Sequence, residues 1–174
     1  MQIRIAVTAD LPAIQSLFSQ AMRNADWLPA AVRQANKTDD FAAASVGETI
    51  LLAELEPGVV AGFLSYQPEH AFIHHLYVAQ HAQGRGVGRS LLHALHTYLA
   101  CPWHLKCVVK NHAAYAFYLR MGWTVVQRAT SEHGDYYLLR LAAPDVPDVP
   151  DVSDVSDVSD VPDGAIQQDS SNPA

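Results

Sequence analysis

The sequence predicts an α/β fold: a mixed, mostly antiparallel sheet of six to seven strands with helices on both faces. Three observations lead to it. Short β-prone runs stand in pairs around turn residues early and late in the chain. Between those pairs lies a strand-helix-strand-helix segment, a pattern that builds a mixed sheet covered on two sides. The length, 174 residues, suits one folded domain.

Taken in order, Ile3, Ile5 and Val7 alternate as in a half-buried strand. Thr8 and Asp10 then offer helix-start polar groups, with Pro12 in the tolerated first turn. Ile14, Leu17, Phe18 and Met22 follow at helical spacing. Residues 24–40, with Trp27 and Pro29, suit a second helix or a flexible wall over a cleft. Residues 50–54 and 59–66 are β-prone around Pro57 and Gly58 and read as an antiparallel hairpin, with 71–78 as the third strand of that sheet. A glycine-rich turn then opens a helix whose Val87, Leu91, Leu95 and Leu99 share one face, with Pro102 marking its end. Residues 105–109 read as a buried strand, 113–120 as a helix, and 123–130 and 136–141 as strands around the turn at 132–135.

From Pro144 the chain repeats Pro/Ser-Asp-Val, three units opening with Pro and three with Ser. One Val per three residues builds no core that offsets ordering entropy, and the aspartates repel one another. Two regions follow: a folded domain over 1–143 and a disordered acidic tail over 144–174. All 11 Lys and Arg precede residue 143 together with 10 of the 18 Asp and Glu, so the body carries +1 while the tail makes the whole chain −7. A nearly neutral body lacks the basic stripe that a nucleic-acid surface requires. Arg4, Thr8, Asp10 and Pro12 interrupt the apolar start, which therefore reads as neither signal peptide nor membrane span; a soluble, cytoplasmic protein is expected. Cys101 and Cys107 fall in no ligand spacing and read as reduced packing residues.

The informative segment is Leu76, Tyr77 and Val78, four further residues, then Gln83, Gly84, Arg85, Gly86, Val87, Gly88 and Arg89. Glycines let backbone approach a ligand closely, and a turn that opens a helix aims free N–H groups and the positive dipole end at an anion. The spacing is neither Gly-x-Gly-x-x-Gly nor a P-loop, which weakens both nucleotide readings. It resembles the main motif of the GNAT acetyltransferase family, Gln/Arg-x-x-Gly-x-Gly/Ala after a strand ending in Leu-x-Val. A second stretch, Asn111 to Trp123, is similar to that family's Asn-x-x-Ala-x-x-Phe-Tyr-x-x-x-Gly-Phe, with Trp123 replacing the last Phe. The resemblance covers residues 1–142 and implies the GNAT fold and acetyl-CoA as co-substrate. It further implies that the amides of Gln83, Gly84, Arg85, Gly86, Val87, Gly88 and Arg89 hold the diphosphate. Leu76, Tyr77 and Val78 would pair with the pantetheine arm, and Asn111, Ala114, Phe117 and Tyr118 would contact the coenzyme.

Acetyl transfer from a thioester requires a neutral amine, a stabilised oxyanion and a proton for the departing thiolate. A backbone N–H at Leu76 or Val78 can donate to the oxyanion. Tyr118 can protonate the sulfur, or serve as a packed tyrosine with a polar handle. Many relatives use a glutamate on the strand, but here it reads Ala71, Phe72, His74, His75 and Leu76 around Ile73, without a carboxylate. Period two puts Phe72, His74, Leu76 and Val78 on one face and His75 on the other. His74 resembles one of the two histidines of arylalkylamine acetyltransferases, and imidazole can take an ammonium proton near neutral pH. His75 and a water chain are the alternatives. The adjacent histidines diverge and share no third ligand, so no metal is expected. His93 and His96 read as solvated, and no role is assigned to His112.

The favoured function is direct N-acetyl transfer to a primary amine of a small molecule or peptide, without nucleic acid or membrane partners and with homodimerisation open. Its rivals are a non-catalytic acyl-CoA-binding sensor or partner module and a nucleotide-binding regulator. The acceptor depends on residues 23–40, the turn at 66–71 and the loop at 132–135. There Trp27, Tyr66 and Phe72 either favour an apolar acceptor or simply pack.

Overall fold

Arg4 ties the start of the chain to the sheet. Its guanidinium donates to both oxygens of Asp10 at 2.7 and 2.8 Å and to Glu54 at 2.7 Å. In the computed structural model, which describes residues 1–35 and 40–143, β1 (Gln2–Ile5) therefore lies antiparallel to β2 (Thr49–Glu56). Thr8 and Asp10 do stand at the helix start. Asp10 is the residue before α1 (Leu11–Asn24), and its carboxylate accepts from Arg4 and from the Val7 amide, closing a 3-10 turn that leads into the helix, rather than from an α1 amide. Ile14, Leu17, Phe18 and Met22 form the buried stripe of α1, as their spacing predicts.

The wall expected over 24–40 contains α2 (Ala30–Ala35) and is followed by α3 (Phe41–Ala44); residues 36–39 and the repeat from 144 onward lie outside the described residues. Next come β3 (Val59–Gln67), β4 (Phe72–Val78), α4 (Val87–Leu95), β5 (Trp103–Val108), α5 (His112–Arg120), β6 (Thr124–Ser131) and β7 (Gly134–Leu141). Among the described residues the seven strands form one sheet in the order β1-β2-β3-β4-β5-β7-β6, with β4–β5 its parallel pair. The predicted mixed, mostly antiparallel sheet is the observed one. No helix of the described residues is long and apolar enough to cross a membrane.

Helix α4 stops at Leu95, before the expected end near Pro102. His96, Thr97 and Tyr98 bond back three residues, tightening the end of the helix, and the Leu99 amide adds one last four-residue bond to Leu95 at 2.9 Å. Leu99 still packs against the core, and the Trp103 indole donates to its carbonyl at 3.2 Å.

One bulge corrects the expected faces of β4. Ser65 pairs with His75 and Tyr66 with Ile73, so His74 is the extra residue. His75 and Tyr77 face α1 and α3, where their rings lie 5.5 and 5.9 Å from that of Phe18. Leu76 and Val78 face the opposite side, where Val87 of α4 packs close to Gly62. His74 thus does not share a face with Leu76 and Val78.

Gly62 sits where β3, β4 and α4 meet. A Cβ there would lie 2.7 Å from the Tyr77 carbonyl and 3.0 Å from Val87 Cγ1, and the backbone contact has little room to relax. Gly62→Ala is expected to cost about 1–3 kcal/mol, the usual range for overpacking, read as a lower urea midpoint at unchanged m-value.

Candidate functional site

Strands β4 and β5 pair only at Phe72–His104 and Ile73–Leu105 and then part. On its other side β4 remains bonded to β3, and the Ala79 amide donates to Ala61 at 2.8 Å. Antiparallel ladders alternate, so the amides of Tyr77 and His75 point the same way as that of Ala79. Those of Leu76 and Val78 point into the gap toward β5. The expected oxyanion donors are therefore backbone N–H groups aimed into an opening.

That opening is part of a cleft of about 900 Å³. It is lined by Leu76, Tyr77, Val78, Gln83, Gly84, Gly86, Val87, Gly88 and Arg89, and by Asn111, Ala114, Phe117 and Tyr118. Both sequence motifs thus converge on one wall-to-wall space. Arg85 is exposed and outside the lining. Gly84 and Gly86 have φ of +73° and +79°, values that a side chain would strain. Gly86 caps α4, and Ser90 is the first residue to bond back to it, at 3.0 Å. The amides of Val87, Gly88 and Arg89 are left at the helix's positive end. The Gln83 and Arg85 amides instead close the turn onto Gln80 and Ala82, each at 3.4 Å. The Gln83 side chain ties the turn to the Val78 carbonyl at 3.5 Å.

Asn111 also has a local duty: its side chain accepts from the Ala114 amide at 3.1 Å and caps α5. Phe117 reaches α4, its ring lying 3.5 Å from where a Cβ of Gly88 would stand. Tyr118 is buried beside Phe117 and Trp123. Burial, with Cys107 and Tyr77 nearby, holds its phenol well above the ordinary range, so it keeps its proton. Cys107 is a buried free thiol pushed up to about 11 by the same desolvation.

Asn24, Ala25 and Trp27, at the start of the expected wall, do line the cleft; what sequence reasoning missed is the part of it supplied from within α1, Leu17, Gln20 and Ala21. The available signal was Ala21 and Asn24 one turn apart beside the buried stripe, a small residue and a polar one flanking Met22. A second cavity, about 750 Å³, is lined by His93, His96 and Trp103 among others and takes Arg89, Met121 and Trp123 from the ends of the two motifs.

The two histidines of β4 have separate fates. His74 does not line the cleft. It is the first residue past the last β4–β5 rung, exposed, with its ring 4.9 Å from Phe72 and Nδ1 3.7 Å from Glu48. His75 is half-buried, its ring packed among those of Phe18, Phe41 and Tyr77. Burial, and then the neighbouring His74, lower it to about 4. A base that weak takes a proton from an ammonium poorly. Among the described residues no cluster of His, Cys, Asp or Glu is arranged to hold a metal.

The acetyltransferase (GNAT) family profile matches residues 11–123. An L-methionine sulfoximine/L-methionine sulfone acetyltransferase of Pseudomonas paraeruginosa is 38% identical over a match of 103 aligned positions that covers 53% of this chain; the chain spans 60% of that relative's length. Among solved structures, an acetyltransferase from Salmonella typhimurium with its cofactor acetyl-CoA is 24% identical, with a TM-score of 0.59 over 84% of this chain and 98% of that one. A phosphinothricin acetyltransferase from Sinorhizobium meliloti in complex with acetyl-CoA is 20% identical, with a TM-score of 0.59 over 82% and 88%. At these identities the two structures show the shared fold.

His75 makes stability depend on pH. Its folded value, about 4, lies below the ordinary 6.5, so the unfolded chain binds the extra proton in between. Stability should fall as pH drops from 6.5 toward 4, by up to roughly 3 kcal/mol from this group. Urea midpoints across that window should show a shallower slope in His75→Phe.

Proposed function

This chain belongs to the acetyltransferase (GNAT) family, and from that premise we propose that it is an acetyl-CoA-dependent N-acetyltransferase acting directly on a primary amine. One observation carries the reading. A single cleft collects the free amides of α4, the outward amides of β4 and the protonated phenol of Tyr118.

The cleft fits the coenzyme in size and in chemistry. Its volume, about 900 Å³, lies in the range of small-molecule and cofactor sites. The amides of Val87, Gly88 and Arg89 suit a diphosphate, and Leu76 to Val78 offer a strand edge to an extended amide-bearing arm. When bound, acetyl-CoA supplies an acetyl thioester. The Leu76 or Val78 N–H then holds the negative charge that develops on the carbonyl oxygen, and needs no reorganisation to do so. Tyr118, kept protonated by burial, donates its O–H to the leaving sulfur; burial makes it a weaker acid than a free phenol, so its proton moves only as negative charge builds on the sulfur and is replaced from solvent.

His74 is the base in this scheme, although it stands outside the coenzyme cleft. It stands two positions before Leu76, with His75 between them, about 7 Å along the strand, a span that an amine and one water bridge. An amine reaching the end of the gap meets His74 on one side and the oxyanion donors on the other. The scheme calls for acetyl-CoA and an amine, and for no metal, nucleic acid or membrane. The catalytic unit is residues 1–143, in a cytoplasmic protein. The 38% identical relative directs the acceptor search to small amino-acid amines.

The test is thiol release from acetyl-CoA over L-methionine sulfoximine, L-methionine sulfone, simple alkylamines and a peptide with a free amino terminus. Turnover with at least one is expected. Tyr118→Phe should bind acetyl-CoA as tightly as wild type and lose about 10²-fold or more in kcat. His74→Ala should lose rate most at low pH and recover as the amine loses its own proton. Coenzyme binding without turnover by any amine would instead support a non-catalytic acyl-CoA sensor.

A further inference from the structure

The bulge that separates His74 from Leu76 also brings it to an acidic neighbour. Glu48 follows Gly47, whose φ of +83° turns the chain into β2, and its own amide donates to the Ser45 carbonyl at 3.0 Å. Thr49 pairs with Tyr66 and Gln67 with Phe72, so Glu48 stands level with the start of β4, across one strand. Its side chain is 8% exposed, against 36% for His74. One oxygen, Oε1, lies 3.7 Å from His74 Nδ1, while Oε2 is buried without a hydrogen-bond partner among the described residues.

A carboxylate withdrawn from water while half unpaired is costly, and a facing N–H or cation relieves that cost. The rings beside His74 are those of Phe72, which offers no hydrogen bond, and His75, 6.4 Å away. Among the described residues Glu48 supplies the carboxylate within ion-pair reach of the His74 ring. At 3.7 Å the pair is at ion-pair separation, and such contacts commonly tighten into a hydrogen bond when substrate arrives.

We infer that Glu48 is the positioning residue for His74, an inference that rests on the acetyl-transfer reading above. Its carboxylate accepts the Nδ1–H and selects the tautomer whose Nε2 carries the free lone pair. In the transfer, an N–H bond of the acceptor's ammonium breaks and an Nε2–H bond forms. The amine keeps the electron pair that attacks the acetyl carbon. The imidazolium charge is balanced by Glu48 until the proton passes to water. The division of labour is that of other carboxylate-imidazole pairs: one group orients, the other exchanges the proton. It also accounts for a buried glutamate placed beside a histidine on a strand that has no carboxylate of its own.

Nitrogen-proton correlation spectra of the full chain, with ¹⁵N-labelled histidine and at a pH where imidazole is neutral, read the tautomer without any substrate. Wild type should show His74 protonated on Nδ1. Glu48→Ala should return it to the Nε2–H form, and Glu48→Gln, which keeps an acceptor oxygen, should retain part of the Nδ1–H population. With the best amine, Glu48→Gln should lower kcat about 10–100-fold, the usual size for a supporting partner, and leave the KM for acetyl-CoA unchanged. Glu48→Asp should recover part of the rate. In a His74→Ala background Glu48→Gln should cost nothing further, because the two act as one unit. An unchanged tautomer in Glu48→Ala, or an additive loss in the double variant, overturns the inference. A wild type that turns over no amine defeats the acetyl-transfer reading itself, whereas the tautomer still reports on the pair.

Discussion

The last rung between β4 and β5, Ile73 against Leu105, is the constraint on which the rest depends. Up to that point the sheet is continuous and its backbone groups pair with one another. Beyond it β4 stays bonded to β3 alone, and its outer amides face a gap. A β-sheet interior normally has no free donors, since an unpaired buried N–H costs about as much as a lost hydrogen bond. The parting of two parallel strands supplies such donors at the centre of the molecule, with both neighbours still held rigidly by the sheet.

The gap stays open because each side is propped. Phe117 of α5 reaches the first turn of α4, and Val87 of α4 packs over Gly62, so these two helices brace one face. Phe18 and Phe41 pack against His75, Phe63 and Tyr77 on the other. The polar work falls to short-range caps: Asn111 on α5, Gly86 on α4, and the Gln83 side chain fastening the glycine turn to Val78. Motif residues that look like ligand contacts therefore also hold the walls in place. Substituting them would disturb geometry as well as binding.

Much of this was legible from residue order. The stripe of α1, the hairpin of β2 and β3, and the glycine turn opening α4 each follow from a local pattern, and local patterns survive in the fold. Both motifs could be placed on one ligand because each sits beside a strand end. What could not be read was the bulge at His74. Period two is the default of a strand, and one inserted residue inverts the facing of everything on one side of it. Nothing in the run from Phe72 to Val78 marks the insertion, because its cause lies in the pairing with Ser65 and Tyr66. The part of the wall inside α1 was hidden for a similar reason: Leu17, Gln20 and Ala21 become cleft residues only once α1 packs on the sheet. Glu48 was passed over because its partner stands 26 positions later, two strands away.

The bulge also explains how two identical side chains in sequence become chemically different. His75 lies under Phe18 and Phe41, where a charge would be stranded, and it stays neutral down to about pH 4. It behaves as a packing ring that carries a polar edge. His74, displaced by a single residue, keeps a third of its side chain in water and faces a carboxylate. A base must both reach its proton and release it to solvent, and only the second environment allows this. Tyr118 has the reverse setting: its burial holds the proton on the phenol until the leaving group appears, and makes the transfer wait for charge on the sulfur. The fold thus assigns exposure to the group that accepts and burial to the group that donates. One extra residue in β4 is enough to make that assignment.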